Sequence, residues 1–475
     1  MKLILAETEK GQGSVGQTSR TVPLYDGTSR ARSRVHLLLS IVFWLTIFEG
    51  AARKWGPPSL SSVLYFVKDP FVIAAYILAI RYRLFARHWL TIFFLVFSFA
   101  LIVLGLTDIL FLGLNPFVIA LGIRSYLLYT FVAFLWPMTM PIHKLKKLSR
   151  ALLFFTLPMA ALVFIQYHSS PAAKVNTLVK GEVSNFVTSG HVRPTGTFSF
   201  VLGQSVFDIF LISLVFGELY KRTEDRLASA PLVYAATAAS FVAVSFSVSR
   251  TAAIGAAASM AGALFTSFFP GRGRQFSFAR ATVPILVFVG VIAGTLIFLP
   301  EGANTLAERH EGAVSSEGSE ASRALQMVVG AGDHSLNLSA IGIGVGRGSP
   351  AALAFVRNDL NDYISEYEVP RVLQELGIFV GSAYLIFRFA LAFYLLKLTF
   401  QLLVETGDPS PFILAIFCAI ELISGDVESN PSVGALTWAA VGLTLTAVKA
   451  GMFRDLGRRL KGSTRSNMTS ALARR

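Results

Sequence analysis

The sequence predicts an all-α fold: a polytopic integral membrane bundle of about twelve transmembrane helices. Three observations predict it. Hydrophobic residues make up 53% of the 475-residue chain and charged residues only 15%, too little charge to cover a soluble surface of this size. The apolar residues fall in blocks of about 17–25, the length that crosses a bilayer core. Short basic stretches separate alternate blocks, as the excess of Lys and Arg in cytoplasmic loops requires.

Taken in order, residues 1–35 are polar, rich in Gly, Ser and Thr, and end in Arg30, Arg32 and Arg34. They hold no short apolar region followed by a small-residue cleavage site, so they read as a disordered cytoplasmic tail and not as a signal peptide. The expected spans are 36–52, 60–80, 89–107, 116–137, 149–167, 197–219, 229–248, 252–270, 282–299, 372–398, 410–426 and 432–450. Counted from a cytoplasmic N-terminus, the basic groups Arg81/Arg83/Arg87, Lys144/Lys146/Lys147/Arg150, Lys221/Arg222/Arg226 and Arg272/Arg274/Arg280 all fall in cytoplasmic loops. The tail 451–475 is basic as well, with Arg454, Arg458, Arg459 and Lys461 among its cations. Both termini are therefore expected in the cytoplasm. The net charge of +14 follows from these loops, and no nucleic-acid partner is expected. The single cysteine, Cys418, sits in an apolar block, which excludes an internal disulfide and a cysteine-built metal site.

The opposite face carries two longer loops, 168–196 and 300–371, the second between spans nine and ten. This second loop mixes acids, bases, Gly and Ser. It holds an expected short helix near Ser322–Val329 and the run Gly342-Ile343-Gly344-Val345-Gly346-Arg347-Gly348. Function tends to sit where loops meet a scaffold, so this is the candidate active face. No repeat of fixed period is visible, which counts against an inverted-repeat transporter.

Charges in or beside apolar spans are costly and each needs a reason. Glu49 and Arg53 are spaced i,i+4, a favourable helix pair. Lys68 and Asp69, Asp208, Arg388, Lys397 and Glu421 also fall within spans. Interhelical pairing or snorkelling accounts for such residues in general, and for Lys397 at a cytoplasmic edge in particular. Arg193, Arg250, Arg53, Lys54 and Arg124 are different, because this topology puts them toward the outer side, where basic residues are disfavoured. Guanidinium groups gathered at an outer interface suit a phosphate or diphosphate headgroup, through bidentate charge-assisted bonds.

Four motifs then occur in order: Arg193-Pro194-Thr195-Gly196-Thr197-Phe198, Ser247-Val248-Ser249-Arg250, Gly342-Ile343-Gly344-Val345-Gly346 and Leu373-Gln374-Glu375-Leu376-Gly377-Ile378. Over about residues 190–385, the chain resembles the O-antigen ligase and polymerase superfamily of bacterial envelope glycosyltransferases. The resemblance implies a metal-independent, inverting glycosyltransferase of the inner membrane with no cofactor. Its substrates would be an undecaprenyl-diphosphate-linked glycan and a glycan acceptor, and chemistry would occur on the periplasmic side. A chain-length regulator and a flippase of the same pathway are the implied protein partners. Arg193 and Arg250 match the family's arginines for the diphosphate. Ligases of this family usually carry a histidine shortly before the Glu-Leu-Gly turn; here that position holds Glu366. A carboxylate can also accept the proton of an attacking hydroxyl, so Glu366 and the nearby Glu368 are both candidates for the base. His310 and His334 lie in the same loop, off the motif, and read as surface histidines. The absent histidine favours polymerase over ligase. A flippase for lipid-linked glycans and a non-catalytic assembly subunit are the rival readings.

Overall fold

The computed structural model describes residues 26–85, 89–221, 223–271, 300–317, 338–349, 364–365 and 367–472, with isolated positions between 282 and 297. Its helices are α1 Asp26–Trp55, α2 Asp69–Arg81, α3 Trp89–Phe111, α4 Pro116–Leu127, α5 Val132–Thr139, α6 Ile142–His168, α7 Val201–Leu219, α8 Ala230–Phe246, α9 Arg250–Thr266, α10 Pro300–Glu317, α11 Glu368–Thr406, α12 Ser410–Ser424 and α13 Pro431–Leu472. A two-stranded hairpin, β1 Val187–Thr188 and β2 His191–Val192, is the sheet among the described residues.

The protein is a membrane-embedded helical bundle. Among the described residues, seven helices are long and apolar enough to cross a bilayer, and α4 with α5, bent by 41°, make an eighth if counted as one span. That is fewer than the twelve expected. The helices α8, α9 and α12 occupy expected spans but run for only 17, 17 and 15 residues, at or below the length of a full crossing. The expected ninth span falls almost wholly outside the described residues, as does the short helix expected near 322–329. The first helix starts at Asp26, inside the stretch expected to be a disordered tail.

Lipid-facing and protein-facing sides separate along the helices. On α3, Ile92, Leu95, Val96, Phe99, Ile102, Val103, Leu106 and Leu110 are exposed, an apolar face that only a bilayer would cover. Its other face is buried, with Phe97 stacked on Tyr384 at 4.9 Å between ring centroids. Small residues let the central helices approach closely. A Cβ on Gly255 of α9 would meet the Ile209 side chain of α7, and one on Gly442 of α13 would lie 3.1 Å from Trp136 of α5. Ser213 and Ser259 share a hydrogen bond of 2.9 Å across the α7–α9 seam.

The bundle has two distinct ends. At one end the Ser410 hydroxyl donates to the Gly217 carbonyl at 2.8 Å, joining the start of α12 to the end of α7. The other end carries the segment 169–200, α10 and the glycine-rich run. There α11 is broken at Gly377 (φ 73°, ψ 172°). The break receives the chain at 339–343: Ile378 N–H donates to the Ser339 carbonyl at 3.1 Å and Ile343 N–H to the Gln374 carbonyl at 2.8 Å.

Candidate functional site

The loop-bearing end is built outward from the hairpin. Ser189 and Gly190 both have positive φ, 49° and 82°, as a type I′ turn requires to match strand twist. The turn sets Thr188 opposite His191 and Val187 opposite Val192. Strand alternation then puts Thr188, His191 and, two residues on, Arg193 on one face. Arg193 N–H continues the ladder by donating to the Phe186 carbonyl at 2.8 Å.

Arg250 opens α9. The residue two before it, Val248, is fully buried at φ 50°, a conformation that a β-branched side chain adopts only under constraint. Packing against Val163, Tyr167 and Phe246 supplies that constraint. Ser249 caps the helix by accepting from Ala252 N–H at 3.3 Å.

The third element is α10, which presents Gly302, Thr305 and Arg309 at helical spacing. A Cβ on Gly302 would lie 2.9 Å from the Ser245 carbonyl oxygen, so glycine allows α10 to sit against the end of α8. Thr305 shares a hydrogen bond with the Tyr167 hydroxyl at 2.7 Å. Arg309 Nη1 donates to Thr188 Oγ1 at 3.2 Å, on the strand face that carries His191.

The charges of Arg250 and Arg309 both reach Arg193. Burial, and then the charges of Arg309 and Arg250, push the Arg193 guanidinium down from the usual arginine range to about 10. Arg193 Nε is buried without a hydrogen-bond partner. The positive end of α9 adds to the same field. Such an arrangement opposes itself electrostatically, and an anion relieves it.

An acid–base group borders the cluster. Glu301 Oε2 lies 3.3 Å from His168 Nε2, and Glu301 Oε1 lies 3.5 Å from His191 Nε2. The His191 ring stacks on Tyr167 with centroids 4.4 Å apart and planes within 1°. His168 Nδ1 faces the Phe164 carbonyl at 2.9 Å.

Of the residues expected from sequence, Arg193 and Arg250 come together. Arg53 and Lys54 approach the same segment from behind. Arg53 contacts Ser199 Oγ at 3.3 Å and pairs with Glu49 at 3.2 Å. Lys54 Nζ donates to Thr195 Oγ1 at 2.7 Å and the Gly196 carbonyl at 2.6 Å. Lys54 is thus committed to holding the Thr195-Gly196 turn, and Arg53 to Glu49, Ser199 and the Ser61 carbonyl. Glu49 also pairs with Lys68 at 2.8 Å. Arg124 belongs to another network: it grips Asp69 with two bonds, at 2.6 and 3.1 Å, and lies against the rings of Tyr65, Phe66 and Tyr129. Its charge is matched locally.

The two carboxylates expected to act as base fare differently. Glu366 lies outside the described residues. Glu368 is buried and ion-paired to both Arg371 and Arg388, and its Oε1 also accepts Glu428 N–H at 2.8 Å. Arg388 in turn donates to the carbonyls of Leu422, Glu421 and Gly425. A carboxylate held by two guanidiniums stays a bound anion, so this geometry gives Glu368 a structural part.

The glycine-rich run is occupied by the protein's own acids. Val345 N–H donates to Asp108 Oδ2 at 2.9 Å, and Gly346 and Gly348 N–H donate to Glu375 at 3.3 and 2.7 Å. Tyr126 adds a fourth bond, to Glu375 Oε2 at 2.9 Å. Positive φ at Gly342, Gly344 and Gly346 builds a close backbone turn whose amides already hold carboxylates.

Sequence reading missed Arg309, Glu301, His168 and His191. The i,i+2 spacing of His191 and Arg193 was a usable signal once the intervening Val192 is read as the buried side of a strand. Nothing local marked Arg309 above its neighbours: the adjacent His310 drew notice and is exposed. No protein-family model matches the chain, and no curated protein matches it either.

Proposed function

We propose that the protein is a membrane-embedded glycosyltransferase that moves a glycan from an undecaprenyl-diphosphate carrier to a glycan acceptor, polymerising or ligating surface polysaccharide units. In this reading the loop-bearing end faces the periplasm and both tails lie in the cytoplasm of a bacterial inner membrane. The observation that carries it is the convergence of the Arg250 and Arg309 charges on Arg193, whose Nε is buried and unpartnered.

Converging cationic charges fit the leaving group. Cleavage at the anomeric carbon leaves its electron pair on the terminal diphosphate oxygen, and fixed positive groups lower the barrier by stabilising that charge as it develops. The carrier's isoprenoid tail stays in the bilayer beside the bundle. The test is binding of farnesyl diphosphate, a short prenyl diphosphate, to the detergent-solubilised protein. Saturable binding that weakens on replacing Arg193, Arg250 or Arg309 by Gln supports the reading. Binding absent from the wild type, or unchanged in all three variants, overturns it. In cells lacking the gene, the same variants should fail to restore long surface glycan. Restoration equal to wild type would return the transporter and assembly-subunit readings.

A further inference from the structure

The hairpin that carries Arg193 also carries a histidine in the arrangement of a general base. We propose that His191, oriented by Glu301, takes the proton from the acceptor hydroxyl, so that the acid–base chemistry resides in the 168–196 loop and α10. The inference rests on the transferase reading and deepens it.

Four observations converge on His191. It shares a strand face with Arg193, and its cross-strand neighbour Thr188 is bonded to Arg309 at 3.2 Å. It therefore borders the proposed diphosphate site on two sides. Its Nε2 lies 3.5 Å from Glu301 Oε1, and in the tautomer that carries its proton on Nε2, beside the carboxylate, the lone pair is on Nδ1. Among the described residues nothing bonds that Nδ1. The ring plane is set by the stack on Tyr167, and Tyr167 is held by Thr305 of α10. Glu301 itself is steadied from the other side by His168. A nucleophile-facing base, a carboxylate that orients it and cations for the departing charge are the parts acyl- and glycosyl-transfer sites need.

The step balances without an added reactant. The acceptor oxygen forms a bond to the anomeric carbon while the bond from that carbon to the diphosphate oxygen breaks. The acceptor proton passes to His191 Nδ1, and Glu301 offsets the charge of the resulting imidazolium. The electron pair of the broken bond stays on the diphosphate, between Arg193, Arg250 and Arg309.

Glu301, Tyr167 and the cross-strand Thr188 adjoin His191, with Arg193 two residues along the strand, Arg309 bonded to Thr188, His168 beyond Glu301 and Glu308 acting on Tyr167. A structural part for His191 would run through the Tyr167 stack, which phenylalanine preserves. The test therefore uses His191→Gln and His191→Phe in the full-length protein. Two readouts are taken: farnesyl diphosphate binding, and the rate at which membranes carrying each variant convert their lipid-linked glycan into longer or acceptor-linked glycan. The expected result is binding within about 3-fold of wild type, with transfer lowered by about 100- to 10,000-fold in both variants. Glu301→Gln should lower transfer while retaining binding. Transfer at the wild-type rate in His191→Phe overturns the proposal while leaving the arginine site standing. Loss of diphosphate binding in wild type would instead overturn the site itself. If His191→Gln fails to insert, His191→Phe decides, with its melting temperature as the check on folding.

Discussion

Replacing Arg193 by Gln separates what this residue does for binding from what it does for folding. In the unliganded protein the charged guanidinium is disfavoured: burial and the fields of Arg309 and Arg250 lower it from the usual arginine range to about 10. At ~1.4 kcal/mol per pH unit, the shift sets an upper bound of about 3 kcal/mol on that cost. The sign follows from the direction. A cation whose folded value is depressed costs stability at every pH below about 10, and the cost is released as pH rises through that value toward the unfolded one. Near neutral pH, Arg193→Gln should therefore raise the melting temperature of the ligand-free protein, by an amount equivalent to about 1–3 kcal/mol. The same change removes a charge-assisted bond to phosphate worth about 1.5–3 kcal/mol, so affinity for farnesyl diphosphate should fall about 10- to 150-fold. The assay is a thermal-shift titration in detergent, with and without ligand. Wild type should gain about 2.7 kcal/mol at a hundred times its dissociation constant, and the variant much less at the same concentration. A variant that melts lower than wild type without ligand, yet binds equally well, would refute the electrostatic reasoning.

Raising pH toward about 10, the value to which burial and the Arg309 and Arg250 charges push Arg193, should weaken diphosphate binding in wild type and leave the residual binding of Arg193→Gln unchanged, as read from titrations at successive pH values. Glu368→Ala leaves Arg388 buried with one charge partner fewer, and should lower stability by about 3–5 kcal/mol in thermal unfolding. Gly346→Ala places a methyl at φ 84°, 2.6 Å from the Val118 carbonyl oxygen and 2.7 Å from Gly122 Cα. It should cost at least about 1–3 kcal/mol from backbone strain alone, seen as a lower melting temperature. Arg124→Gln strands Asp69 and should destabilise the bundle, but because that network is separate, farnesyl diphosphate affinity should stay within about 2-fold of wild type.

The membrane class, the helical architecture and most span positions were legible because a bilayer imposes a one-dimensional rule. Each crossing must be apolar and must pair its backbone within itself, and both demands are written in consecutive residues. The span count was less legible. The blocks at 229–248, 252–270 and 410–426 are as apolar as their neighbours, yet the helices within them are short. Where the chain leaves the helix depends on capping and packing, as at Pro409, Ser249 and the strained Val248. The pairing of buried charges was half legible: Glu49 with Arg53 follows from helical spacing, whereas Glu49 with Lys68 and Asp69 with Arg124 join different helices.

The sequence by itself determined that the chain lives in a membrane, and its charge pattern singled out Arg193 and Arg250 as candidates. Tertiary structure alone decided which charges meet. It brought Arg309 to Arg193 across 116 residues of chain, set Glu301 between His168 and His191, tied up Arg124 and Glu368 in ion pairs, and filled the glycine-rich turn with Asp108 and Glu375. The physical reason is range. Hydropathy acts through neighbours along the chain, while the energy of a buried charge depends on what lies within a few ångströms in space, whatever the separation in sequence.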